Sequence, residues 1–199
     1  IVKELLYQLL HTDFNIGRSP RSYNSQIGVP LSVWQMDDKH TLGIFEAGIS
    51  QPDEMEKLQR IIRPTIGMIT NIGEAHQENF ASSTQKCMEK LSLFSDCDIV
   101  IYNVDDEFIA HTLDKACLSH KAVGWSRKDS DAPLYIEKIY KKQSSTEIHC
   151  VMLNLEQTYE IPFTDDASIE DVIHCIALML YLKPTSLRNR KVFAGLEPV

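Results

Sequence analysis

Ile66-Gly67-Met68-Ile69-Thr70-Asn71-Ile72-Gly73-Glu74-Ala75-His76 is the stretch that decides the fold. Its apolar opening reads as a short buried strand. The strand runs out into Thr-Asn-x-Gly and then offers a histidine. Strand tips of open α/β sheets are where ligands gather. Upstream, Ile44-Phe45-Glu46-Ala47-Gly48 repeats the plan, with an apolar strand, one acid and a glycine. Two such tips beside one pocket would offer an acid and an imidazole, a way to hold a divalent metal on phosphate oxygens.

Outward from these tips, strands and helices alternate. Strands are expected at residues 42–45, 66–70, 98–102 and 122–125, and helices at 51–62, 82–94 and 105–117. Pro52 and the acids Asp53 and Glu54 suit a first helical turn, and Pro64 stops that helix. At the start of the chain, Val2, Leu5, Leu6 and Leu9 follow the i, i+3, i+4, i+7 spacing of one buried helix face, with no N-cap before them. The alternation predicts an α/β fold, a mostly parallel sheet flanked by helices. The pattern then changes. Residues 134–139, 147–153 and 158–162 alternate polar and apolar, as antiparallel strands do, with a hairpin tip at Gln143-Ser144-Ser145. A last helix with a strongly apolar side spans residues 168–182.

The 199 residues suit one domain, with 43% hydrophobic and 24% charged residues. A net charge of −8 with no basic face argues against nucleic acid as a partner, and no apolar run is long enough to cross a membrane. No signal peptide opens the chain. Cys87, Cys97, Cys117, Cys150 and Cys175 are scattered, odd in number and never in a C-x-x-C pair. That usage fits a reducing cytoplasm rather than a disulfide framework or a zinc site.

Each polar motif has two readings. Arg21-Ser22-Tyr23-Asn24-Ser25-Gln26-Ile27-Gly28-Val29-Pro30 is either a loop capping a helix that begins near Pro30 or a loop facing a ligand. Glu46 at a strand end is a metal ligand or a paired surface acid. His76 ligates or satisfies local hydrogen bonds, and Asn71 reads a ligand or caps its loop. Lys86 and Lys90 share one helix at i, i+4, where solvated lysines are the default. Met88, Leu91 and Leu93 can partly bury the Lys90 stem, and desolvation frees a neutral amine. In Asn103-Val104-Asp105-Asp106, Asp105 is the natural N-cap, while Asn103 reads a ligand or its own backbone.

Taken together, in this order and at these intervals, Asn24-Ser25-Gln26-Ile27-Gly28-Val29-Pro30, Glu46-Ala47-Gly48, Thr70 to His76 and Asn103-Val104-Asp105-Asp106 resemble the central ATPase domain of the Mur ligases over essentially the whole chain. The resemblance implies a P-loop-type fold and an ATP- and Mg2+-dependent amide-bond ligase of cytoplasmic peptidoglycan-precursor synthesis. The Ile-Gly-Val-Pro and Glu-x-Gly forms favour the member that joins D-alanyl-D-alanine to UDP-N-acetylmuramoyl-tripeptide. Arg-Ser-Tyr-Asn-Ser-Gln and Glu-Ala-His-Gln-Glu-Asn-Phe are also similar to a subset fused to an alanine racemase. The resemblance makes Glu46 and His76 magnesium ligands and Lys90, fourteen residues after His76, a carbamylated lysine supporting a second magnesium. It makes Asn103 an adenine contact and Asn71 part of the nucleotide site. It sets Asn24 and Ser25 in the loop facing the nucleotide-sugar peptide. Lys90 and His76 are thus the implied catalytic pair.

The departures from the family are specific. The chain contains no G-x-x-x-x-G-K-[ST] phosphate loop. In the family that loop stands just before the helix that Val2-Lys3-Glu4-Leu5 resembles. The expectation is a single central domain over residues 1–199, truncated at both ends and inactive alone, with the first strand and the N- and C-terminal domains missing. Asp171 and His174 stand where the family usually has two asparagines, and Ser92 replaces an acid. A competing reading is a non-catalytic binding or scaffolding module that keeps the fold. A dinucleotide-dependent enzyme is disfavoured by the missing G-x-G-x-x-G.

Overall fold

The computed structural model describes residues 1–20 and 22–199; Arg21, quoted above at the head of the polar loop, lies outside the described residues. In chain order the elements are α1 (Val2–Leu10), β1 (Ile16–Arg18), α2 (Gly28–Trp34), β2 (Leu42–Ile44), α3 (Met55–Ile62), β3 (Ile66–Met68), α4 (Ser83–Ser92), β4 (Ile99–Asn103), α5 (Glu107–Lys115), β5 (Ala122–Ser126), β6 (Leu134–Lys141), β7 (Thr146–Met152), β8 (Leu155–Ile161), α6 (Asp166–Leu182) and α7 (Arg190–Ala194). They form two compact units. One comprises Asn15–Tyr102 and Asp106–Val123; the other comprises Ile1–Phe14, Asn103–Asp105 and Gly124–Val199.

The first unit is the βα part. Its strand pairs are parallel: Ile16 to Arg18 against Leu42 to Ile44, and Ile66 to Met68 against Ile99 to Ile101. Parallel pairing needs crossover helices, and α2 to α5 supply them. One apolar cluster includes Val29 of α2, Leu58 of α3, Cys87 and Leu91 of α4, Val100 of β4 and Ile109 and Leu113 of α5. Gly67 lets α4 approach: a Cβ there would stand 2.5 Å from the Phe94 ring. Helix starts are set by side chains. Ser82 accepts from Gln85 N and Asp106 from Ile109 N, so the cap of α5 is Asp106 rather than Asp105. Asp105 is engaged elsewhere, accepting from Ser126 Oγ at 2.5 Å and Arg127 N at 2.7 Å.

The second unit carries the antiparallel section. β5 pairs parallel with β6, after which β6, β7 and β8 run antiparallel. The first hairpin turns over residues 142–145, where Lys142 N donates to Ser145 O. The second turns on Leu153-Asn154 alone, with φ of 51° and 61°. Two left-handed residues are what a type I′ hairpin requires, because its twist matches the strands. β7 buries Thr146, Ile148, Cys150 and Met152 in strict alternation. α6 buries Ile169, Val172, Ile173, Ile176 and Met179, and contacts α1. Tyr159 of β8 lies 4.4 Å from the Phe193 ring of α7, and its hydroxyl donates to Leu187 O. Among the described residues no helix is long and apolar enough to cross a membrane, and all five cysteines are free.

Candidate functional site

The candidate residues collect where the short strands of the βα unit end. β2 stops at Ile44, and Glu46 follows, exposed, two residues on. Its Oε1 accepts a 3.0 Å hydrogen bond from Asn24 Nδ2. Asn24 is tied a second time, its carbonyl accepting from Gly48 N at 2.7 Å. A Cβ on Gly48 would lie 3.2 Å from Asn24 Cγ, so glycine permits this close approach. Asn24 and Glu46, 22 positions apart, are therefore one structural feature. Ser25 is exposed, and its Oγ accepts from Gly28 N at 3.1 Å, opening α2. The helix near Pro30 thus begins at Gly28.

Lys90 is half-buried on α4. Burial first, and then the neighbouring Lys86 ammonium, hold it below the usual lysine range, while the Glu46 carboxylate acts in the opposite sense.

β3 ends at Met68, and pairing persists one residue further, with Ile69 N donating to Ile101 O. Asn71 and His76 follow, both exposed. His76 is left-handed, at φ 59° and ψ 21°, and precedes a short 3-10 turn. Neither residue hydrogen-bonds to Asn24, Glu46 or Lys90 among the described residues, nor do three His, Cys, Asp or Glu side chains converge as a ready metal cluster. Magnesium needs no such cage. It keeps several waters and commonly takes one or two carboxylates plus substrate phosphates. An exposed carboxylate with Oε1 already oriented by Asn24, and an exposed imidazole, fit that demand.

Lys86 is a correction. The helical pattern makes it a solvated lysine, yet it is 2% exposed. Its Nζ donates to Gly73 O at 2.6 Å and to Ala75 O. The available signal was its register: Lys86, Lys90 and Leu93 run at i, i+4, i+7 beside the buried Cys87, Leu91 and Phe94 stripe. Glu54, read as an acid of the first helical turn, is instead the residue just before α3. It accepts from Ser50 N at 2.6 Å and Gln51 N at 3.0 Å, fixing the segment after Gly48.

In the other unit, Asn103 is oriented from both sides. Its Oδ1 accepts from Asp105 N at 3.0 Å and its Nδ2 donates to Glu170 Oε1 at 3.1 Å. An acceptor-only carboxylate facing a donor fixes which way the amide points. His174 sits buried on α6, its ring edge-on to Trp125 at 5.3 Å, with Nδ1 3.0 Å from Glu170 O. Burial raises the Asp171 carboxyl above its usual range.

This chain belongs to the Mur ligase middle domain family, whose family model matches residues 2–179. It is 27% identical over 195 residues to the UDP-N-acetylmuramoyl-tripeptide--D-alanyl-D-alanine ligase of Borreliella burgdorferi, covering 98% of this chain and 41% of that protein. The Rickettsia prowazekii protein of the same name is 36% identical over 107 residues, covering 52% of this chain and 24% of that one. MurF from Acinetobacter baumannii superposes with a TM-score of 0.86 at 20% identity, over 100% of this chain and 44% of that structure. The MurF ligase from Thermotoga maritima in complex with ADP gives 0.83 at 19%, over 100% and 46%. These structural likenesses show the fold, a Mur ligase central domain. The chain spans about two fifths of the length of the curated relatives it matches end to end.

Proposed function

We propose that this chain is the nucleotide-handling part of a cytoplasmic ATP-dependent ligase that joins D-alanyl-D-alanine to UDP-N-acetylmuramoyl-tripeptide. The observation that carries the reading is the Asn24–Glu46–Gly48 feature, in a chain whose end-to-end relatives bear that ligase name. In the proposed reaction the tripeptide carboxylate attacks the γ-phosphorus of ATP, giving an acyl phosphate and ADP. The amine of D-alanyl-D-alanine then attacks the acyl carbon, an amide forms and phosphate leaves. Such transfers depend on positioning and charge neutralisation.

Glu46 and His76 would hold magnesium, with Lys90, as its carbamate, serving a second ion. When bound, the metal supplies charge neutralisation on the phosphate oxygens. Asn24 orients the Glu46 carboxylate. Burial lowers the Lys90 ammonium's pKa, and the neutral amine is the form that can add CO2 and become an anion. Asn103 presents a fixed amide to the adenine, Asn71 lines the nucleotide site, and Ser25 faces the nucleotide-sugar peptide. The proposed ligase needs more sequence than these residues, because they include no G-x-x-x-x-G-K-[ST] loop to hold the phosphates.

The test is direct. The full-length protein, given UDP-N-acetylmuramoyl-tripeptide, D-alanyl-D-alanine, ATP and magnesium, is expected to release phosphate and the pentapeptide product in equal amounts. Phosphate release without amide product, or neither, would refute the reading.

A further inference from the structure

The most unusual side chain of the βα unit is one that the proposed chemistry does not use. Lys86 is a lysine at 2% exposure. Burying an ammonium is costly unless its donors are met. Here two backbone carbonyls meet them, those of Gly73 and Ala75, and both belong to the loop leading into His76. Otherwise the loop is held by its own turn, Gln77 N donating to Glu74 O at 3.0 Å and Asn79 N to His76 O at 3.1 Å. Gly73 has open space around its Cα, with nothing within 4 Å of an added Cβ, and residues 73–76 are exposed. His76 itself holds a left-handed backbone at φ 59°, a conformation uncommon for non-glycine residues that a well-placed hydrogen bond helps to fix.

We propose that Lys86 is a positioning residue for His76: its ammonium, fixed on the rigid α4, clamps the Gly73 and Ala75 carbonyls and so sets the conformation in which the imidazole is presented. The proposal rests on the reading of His76 as a magnesium ligand in one respect only, the purpose of the presentation. A helix is a better anchor than a loop for a group that must be placed within a fraction of an ångström. The length of the lysine stem lets a helix residue ten positions after His76 hold the peptide carbonyl one residue before it.

The experiment compares Lys86→Met, which fills the volume but donates nothing, with Lys86→Arg, which keeps donors and charge, in the full-length protein. Amide exchange read by mass spectrometry is expected to accelerate roughly tenfold or more over residues 73–79 in Lys86→Met, with β6 to β8 unchanged. The His76 imidazole signal in an NMR spectrum is expected to move toward that of an unstructured peptide. Lys86→Arg is expected to restore both. The magnesium concentration giving half-maximal turnover is expected to rise about tenfold with the KM for D-alanyl-D-alanine unchanged. If Lys86→Met does not fold, Lys86→Gln, with one amide donor on a shorter stem, takes its place with the same expectations. Unchanged exchange over 73–79, or an acceleration spread evenly over α2 to α5, would overturn the proposal, as would an unmoved His76 signal. If the wild-type protein makes no ligase product while local exchange and the His76 signal respond as stated, the ligase reading fails and the clamp stands.

Discussion

The βα part and the antiparallel part of this protein are built on opposite economies of backbone. In the first, β1, β2 and β3 have three residues each, and the chain leaves every one of them for a polar loop. In the second, β6, β7 and β8 have eight, seven and seven residues and keep their register almost throughout. Short parallel strands hand the chain quickly to polar loops, and Asn24, Glu46, Asn71 and His76 all lie in such loops, after β1, β2 and β3. Long antiparallel strands satisfy their own ladder and leave little polar backbone to offer. Chemistry is therefore expected from the first architecture and stability from the second.

The sharpest way to break this contrast is at Glu46. In the full-length protein, assayed for the proposed ligase activity, Glu46→Ala and His76→Ala are each expected to lower turnover by about 10²-fold or more, with the thermal midpoint almost unmoved, because both side chains are exposed. Steady-state kinetics at saturating magnesium with parallel thermal melts would check it; near-normal turnover by either variant would remove that residue from the metal set. Lys90→Ala is expected to be inactive and to regain part of its turnover with a short-chain carboxylate such as acetate, a stand-in for the carbamate. Full activity without rescue would make Lys90 an ordinary half-buried lysine.

On the other side of the contrast, Ile148→Ala in β7 is expected to cost about 2–5 kcal/mol in urea titrations, since Ile148 is wholly buried. Its loss of activity should follow the fraction unfolded and nothing more. Gly67→Ala is expected to cost about 1–3 kcal/mol, because the Phe94 ring stands at overlap distance from the new methyl. The smallest effect is expected at the second hairpin. Leu153→Asn relieves a left-handed leucine that is 70% exposed, and a gain of up to about 1 kcal/mol should appear as a raised urea midpoint. A loss there would mean that Leu153 packs against something.

The same contrast explains what the sequence made legible. The βα alternation was readable because apolar runs, Pro52 and Pro64 punctuate it. The three antiparallel strands were readable because Ile148, Cys150 and Met152 alternate with polar residues. β1 was not: Ile16-Gly17-Arg18 has one apolar residue and no periodicity, and only its pairing with β2 makes it a strand. The left-handed Leu153 carries no turn chemistry of its own, since its neighbours in the ladder dictate the turn. Asp105 reads as the natural cap, but the hydroxyl of Ser126 and the N–H of Arg127 engage it, and Asp106 caps α5 instead. Within the candidate site the residue types and intervals were legible, but the Asn24–Glu46 bond was not, because nothing in the chain announces a contact across 22 positions. Lys86 was misread because its partners are carbonyls, which carry no side-chain signature.

The double attachment of Asn24 has a thermodynamic corollary. Its amide is bonded to the carboxylate of Glu46 and its carbonyl to the N–H of Gly48, so the loop around residue 24 and the segment around residue 46 are tied together. A molecule that pulls the loop toward itself must drag the carboxylate with it or break the bond. If the loop takes the proposed nucleotide-sugar peptide and Glu46 the proposed cation, the two bindings are linked, and linkage is reciprocal: each alters the other's affinity by the same factor. Asn24→Ala would uncouple them, and two titrations of the full-length protein, cation with and without the nucleotide-sugar peptide, would read the factor fall toward one.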